Sequence, residues 1–307
     1  PFINPNSTDA KYNGEIYEPS IRKSEYAFIL QNFLTVPQND SNHLRLGYIL
    51  DTSYIGRGNG KSAFLVNLQR EINKDYCLTL SNGHNKCFAL TLVPEPGGKT
   101  KTFEGFVELF VDGIFRSNVI DDSLATLRLE ALLETKPDFD IAHYFKNESQ
   151  IRDNLTSEKW YREESISYRE INAQVNTNKH LQSLPSDFPI FSGGPLLSHV
   201  TSKKDFIEYY SNLKRGKPRF EFLFSHLVHL FLAAAFNGAY IFIDDFERIP
   251  DFQSERQKRD FALELRNCQF DGLSTNARLG FYVMVFVLHA GVPRLIENAW
   301  SQSGLEH

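Results

Sequence analysis

Cysteine is scarce in this chain, with three in 307 residues at Cys77, Cys87 and Cys268. Their spacing gives neither a paired metal-ligand pattern nor a disulfide framework, so a zinc module and a disulfide scaffold are both excluded. Their scarcity fits a reducing, cytoplasmic setting. Basic charge is also in short supply: 33 Lys and Arg against 38 Asp and Glu leave a net charge of -5. That balance argues against a broadly basic nucleic-acid surface. The one local basic stretch, Lys214-Arg-Gly-Lys-Pro-Arg219, reads as a solvated loop. Long uninterrupted apolar runs are missing too. Phe220 to Ile243 has the length to cross a bilayer, yet it contains Glu221, His226, His229 and Asn237-Gly238. It reads instead as a helix, a stop and a buried strand, and no membrane span is expected. The chain opens without an initiator Met or a secretory pattern, and Leu305-Glu306-His307 matches the start of a vector-encoded histidine tag. Residues 305–307 are therefore left out of the fold reading.

What is present begins at Leu46. Leu46-Gly-Tyr-Ile-Leu50 is an apolar strand, Asp51 to Gly60 a glycine-rich turn, and Lys61-Ser62 open a helical pattern that runs to Ile72. That layout is a phosphate-binding loop: backbone N–H groups surround a phosphate chain, the helix N-terminus adds partial positive charge, and a lysine reaches the outer phosphates. Gly56, Arg57, Gly58, Asn59, Gly60, Lys61, Ser62 and Ala63 are the candidate nucleotide-binding residues, with Ser62 a candidate Mg²⁺ ligand. The pattern is irregular in one place, since Ile55 stands where the motif wants its first glycine.

Further along, periodicity predicts a helix over 20–34 capped by Ser20, strands over 43–50 and 86–93, a turn at Pro94-Glu-Pro-Gly-Gly98 and a helix over 102–115. Residues 1–20 read as an extended arm. A polar, irregular stretch over about 121–219, with a short helical pattern at 123–133 and a Pro/Gly-rich tract at 183–195, reads as a helical insertion. The last third alternates again: helix 220–236, strand 239–244, helix 254–266, strand 281–288. Strands alternating with helices predict an α/β fold, an open and mostly parallel sheet with helices on both faces, spanning residues 21–304 with the insertion inside it. Ligands of such sheets sit at the carboxyl ends of the strands.

The strand Ala239-Tyr-Ile-Phe-Ile243 ends in Asp244-Asp-Phe-Glu-Arg248. A carboxylate there can hold Mg²⁺ and a neighbouring acid can position the attacking water. Asp244 is assigned to the metal and Asp245 to water activation, with Glu247 the competing candidate for the second role.

With both halves in place the chain resembles the P-loop NTPases, and within them the AAA+ and STAND-like ATPases, including the KAP branch. Gly56 to Ser62 stand as Walker A and Tyr240-Ile-Phe-Ile-Asp-Asp245 as Walker B. The resemblance covers about 46–93 and 225–300. It implies an ATP- and Mg²⁺-dependent ATPase that couples hydrolysis to conformational change or assembly, in DNA transactions or bacterial defence, on a DNA or protein client. It makes Phe281 to His289 the sensor-1 strand with His289 near the γ-phosphate. It also implies a homo-oligomer in which Arg294, Arg266 or Arg278 acts in trans as an arginine finger. The alternative it leaves open is a nucleotide-gated switch or scaffold with little hydrolysis. Two departures from the family are the long separation of Lys61 from Asp244 and the lack of a recognisable helical lid after Trp300, which a shortened chain would explain.

Overall fold

Four apolar runs pair into one parallel sheet. The computed structural model describes residues 22–35, 45–51, 60–191, 199–272, 280–289 and 292–305. Its strands are β1 Leu46–Asp51, β2 Cys87–Leu92, β3 Gly238–Ile243 and β4 Tyr282–His289, in the spatial order β1-β4-β3-β2. Asp51 stands opposite His289, Ile243 opposite Phe286, and Leu92 opposite Ile243. The carboxyl ends of β1, β4 and β3 therefore lie side by side. β3 is buried along its whole length and β4 as far as Leu288. Burial on both faces is why these strands read as unbroken apolar runs and not as alternation.

Because successive strand residues point to opposite faces, each face needs its own cover. On one face Phe33, Phe64, Leu65 and Leu68 pack on Ala89, Tyr240, Phe242, Val283 and Val285. Phe33 belongs to a π-helical stretch, Leu30–Leu34, that continues the helix Lys23–Ile29; the other three come from the helix Lys61–Asn73. Gly47 in β1 is needed for this approach, since a Cβ there would lie 2.8 Å from Phe33 Cζ. On the opposite face Phe110 meets Tyr282 with ring centroids 4.9 Å apart, and Trp300 meets Phe286 at 6.4 Å. These residues come from the helices Phe103–Arg116 and Val292–Ser303, and the helix Glu255–Arg266 adds Phe261 against Phe106.

The outer edge of β2 is covered by nearby chain at two residues, Cys87, whose N–H donates to the Tyr76 carbonyl at 2.8 Å, and Ala89. Asn73, the last residue of its helix, accepts the Ala89 N–H at 2.7 Å and donates to the Ala89 carbonyl at 2.9 Å, in place of a further strand. Leu305 also takes part in the fold: it is buried and its N–H donates to the Trp300 carbonyl at 3.0 Å.

The chain divides into two compact units, Pro1–Gly113 with Phe236–His307, which holds the sheet, and Ile114–Ala235. The second is wider at both ends than the 121–219 insertion expected. Its described elements are all helical, among them Val119–Thr135, Glu148–Leu155, Tyr168–Val175 and Lys203–Asn212. At its centre Arg128 is fully buried, donating to the carbonyls of Leu155 at 2.9 Å and Thr201 at 2.6 Å and to the Tyr168 hydroxyl at 2.9 Å. Near the start of the helix Lys203–Asn212, His199 bridges Glu158 at 3.3 Å and Asp205 at 2.8 Å. The stretch expected as the helix 220–236 comprises Lys217–Glu221, the π-helical Phe222–His226 and Leu227–Ala233. Among the described residues no helix is long and apolar enough to cross a membrane.

Candidate functional site

Every described residue of the site belongs to the unit that holds the sheet. Gly60 has φ 79°, a left-handed conformation that glycine adopts without strain, and its carbonyl accepts the Phe64 N–H at 2.9 Å. The turn thus hands directly into the helix Lys61–Asn73. No side chain caps this helix start among the described residues, and a helix N-terminus favours negative charge nearby. Lys61 is partly buried and Ala63 packs into the core. Gly56, Arg57, Gly58 and Asn59, with Ile55, lie outside the described residues, as do the 1–20 arm, the Ser20 cap and Arg278.

The strand end across the sheet supplies the acids. The Asp244 N–H donates to the Leu92 carbonyl at 2.9 Å, which extends the β2–β3 ladder by one residue and fixes Asp244 at the strand tip. Asp244 is 3% exposed. Oδ2 accepts the Ser62 hydroxyl at 2.5 Å and Oδ1 accepts the Asp245 N–H at 3.0 Å. Burial pushes the Asp244 carboxyl above the usual aspartate range, and the nearby Asp245 charge adds to this, while the Ser62 bond and the Lys61 charge act against it. Two oxygens, Ser62 Oγ and Asp244 Oδ2, are of the hard type that could hold a divalent cation. Among the described residues no three His, Cys, Asp or Glu side chains gather into an all-protein metal cage.

Past the strand tip the chain turns sharply. Asp245 has φ 49°, a left-handed value that aspartate tolerates better than most residues. Phe246 is buried with its ring 4.7 Å from Phe286, which pins the turn to β4. The Asp245 carboxylate does not point free: Oδ2 meets Arg248 Nη2 at 2.5 Å, and Arg248 Nη1 donates to the Pro94 carbonyl at 3.0 Å. Glu247 is partly buried, 3.9 Å from His289 Nε2 at the end of β4. Burial raises the Glu247 carboxyl, the Asp245 and Asp244 charges raise it further, and His289 lowers it.

The fold thus gathers Lys61, Ser62, Asp244, Asp245, Glu247 and His289 at adjoining strand ends. It does not bring the arginine candidates there as a group. Arg294 is exposed on the helix Val292–Ser303. Arg266 is committed locally, its Nε to Asp271 at 3.1 Å and its Nη1 to the Ser303 carbonyl at 2.8 Å. Two features escape a reading of the sequence: the hold of Arg248 on Asp245, and the approach of Glu247 to His289. The first carries a faint signal, opposite charges three residues apart directly after a strand.

Compared with known proteins, the chain matches no family model, no curated protein and no solved structure.

Proposed function

We propose that this chain binds Mg·ATP across the carboxyl ends of β1, β4 and β3 and hydrolyses it to drive a conformational change or assembly. The observation that carries this reading is the bond from Ser62 to Asp244. The hydroxyl that follows the loop lysine and the strand-tip carboxylate are 182 positions apart in sequence and 2.5 Å apart in space. A tight turn with no ligand would have no reason to face a buried acid, because an uncompensated buried carboxylate is costly.

In hydrolysis a water oxygen forms a bond to the γ-phosphorus while the bond to the β–γ bridging oxygen breaks. ADP leaves with that electron pair, and the proton of the water passes to a carboxylate or to phosphate. Lys61 and the amides at the helix start neutralise charge on the phosphates. Ser62 and Asp244 would hold Mg²⁺, which would supply positive charge against the phosphates. Of the two acids that remain, Glu247 suits the water better than Asp245. Asp245 is engaged by Arg248 at 2.5 Å, whereas Glu247 has the His289 ring nitrogen 3.9 Å away. A carboxyl raised by burial is also a stronger base, closer to working pH. His289, opposite Asp51 in the ladder, would report on the outer phosphate. The exposed Arg294 fits completion of the site by a second copy, and a DNA or protein client would act through that assembly.

Calorimetric titration with Mg·ATP tests the reading. Wild type is expected to bind and Lys61→Ala to lose binding, and unchanged affinity in that variant would overturn it. The hold on Asp245 favours a second reading, a nucleotide-gated switch with little turnover. Phosphate release, measured with and without DNA, separates the two: binding without release selects the switch.

A further inference from the structure

Among the described residues, Arg248 is a charged side chain at this strand end to which neither the loop nor the metal side gives a task. It is held at both ends of its planar fork, by the Asp245 carboxylate at 2.5 Å and by the Pro94 carbonyl at 3.0 Å. Pro94 belongs to the turn after β2, Asp245 to the turn after β3. Two more contacts run along the same seam. Gln253 Nε2 donates to the Lys101 carbonyl at 2.6 Å, and a Cβ on Gly98 would come within 3.0 Å of Phe252 Cβ. Those two contacts already join the turns, so a guanidinium is not needed merely to hold them together. What Arg248 adds is a counter-charge for one of the two acids next to Asp244.

Resting on the nucleotide reading above, we propose that Arg248 is a positioning residue that divides the roles of the two acids, withdrawing Asp245 from the water and leaving Glu247 to orient it. A carboxylate in a short charge-assisted pair has one oxygen engaged and its direction biased toward the partner. The left-handed backbone of Asp245 aims the side chain at the residue three positions on. Glu247, two residues further, is turned to the β4 side, where His289 stands. The pair of acids in the sequence is therefore not a redundant pair. One is occupied so that the other is unambiguous.

The test uses the whole chain and the variants Asp245→Asn, Glu247→Gln, Arg248→Gln, Arg248→Lys and the double variant Glu247→Gln/Arg248→Gln. Loss of a general base costs about 100-fold or more in kcat, and Glu247→Gln is expected to show it and to fall at least about tenfold below Asp245→Asn. The double variant is expected to recover roughly tenfold over Glu247→Gln alone, because Asp245 is released to take the water. Arg248→Lys keeps a cation at Asp245 and is expected to keep kcat within a few-fold of wild type. In Arg248→Gln, kcat is expected to change with KM for ATP held, which a strut whose loss loosens the whole site would not give. A double variant no faster than Glu247→Gln, or an Asp245→Asn as slow as Glu247→Gln, overturns the proposal.

One arm does not depend on turnover. Modification by a carbodiimide and an amine, read by mass spectrometry, is expected to label Asp245 several-fold faster in Arg248→Gln than in wild type, and equal rates overturn the pairing. If wild type neither binds nor hydrolyses ATP while that difference appears, the nucleotide reading and the division of roles fall, and the tie itself stands. Thermal melts check that Arg248→Gln is folded; where it is not, Arg248→Lys and Asp245→Asn carry the kinetic comparison.

Discussion

Replacing Asp244 by Asn exchanges one atom and probes both sides of the site. The carboxylate is buried, accepting Ser62 at 2.5 Å and the Asp245 N–H at 3.0 Å. Asparagine can keep both contacts. Its Oδ1 accepts the Asp245 N–H, and the Ser62 hydroxyl, which accepts as well as donates, takes an amide N–H in return. Two charge-assisted bonds of about 1.5–3 kcal/mol each become neutral ones of about 0.5–1.5, a loss of about 2–3 kcal/mol in all. Against this stands the desolvation of a buried carboxylate, which amounts to several kcal/mol. The raised Asp244 carboxyl says that burial outweighs the bonds. The variant is therefore expected to gain about 1 kcal/mol without ligand. In a unit of this size that is about 2–4 °C in Tm. With Mg·ATP at about 100 times Kd, wild type gains about 2.7 kcal/mol, while the variant, lacking the metal-side charge, gains far less. The order of the two melting curves should reverse on adding nucleotide. Scanning calorimetry at pH 7 with and without Mg·ATP reads both effects. A variant that melts below wild type without ligand refutes the burial argument, and equal stabilisation by Mg·ATP refutes the metal role.

Arg128→Met would strip the buried donors from two carbonyls and the Tyr168 hydroxyl. A loss of about 1–3 kcal/mol in urea unfolding is expected from leaving buried acceptors unsatisfied, and no loss would show that these acceptors find other partners. All three cysteines are buried, and burial pushes the Cys77 thiol up to about 12 and the Cys268 thiol higher still. A thiol-disulfide reagent at pH 8 should leave the native chain unmodified and titrate all three in urea; one rapidly reacting native thiol contradicts the packing. His199 is raised above its ordinary 6.5, chiefly by its bond to Asp205 and then by Glu158, with burial opposing. A folded value above the unfolded one gives stability that is full below 6.5 and lost as pH rises through the folded value. Wild type should therefore exceed His199→Gln in Tm more at pH 6 than at pH 8.5, by a small amount because the ring is exposed to solvent. Equal differences at the two pH values would remove His199 from the account.

The sheet and its helices were legible wherever local chemistry and burial agree. Lys61–Asn73 begins and ends where the glycine turn and the apolar period place it, because Gly60 alone can take the left-handed step into the helix. The strands β3 and β4 announce themselves because both faces are covered. The division between units was harder to place, since it falls between Gly113 and Ile114, inside the helix Phe103–Arg116, and a lone glycine within an apolar helical period does not announce a boundary. In the site, Ser62 and Asp244 were readable as two halves of one arrangement. The direction of the Asp245 side chain was not, because it follows from a backbone angle that no residue pattern specifies. Arg266 shows the same gap: its partner carbonyl is at Ser303, 37 residues further on, and nothing local points there.

The helix that starts at Lys61 is anchored to the sheet at its far end, where Asn73 grips both backbone groups of Ala89. Thirteen residues make a rod of about 20 Å. The same rod is held at its near end by the bond from Ser62 to Asp244 at 2.5 Å, and between the two ends Phe64, Leu65 and Leu68 lie on the sheet. It cannot slide along its axis without breaking bonds at both ends. Whatever displaces Lys61 must first work against the hydroxyl that ties the helix start to the tip of β3.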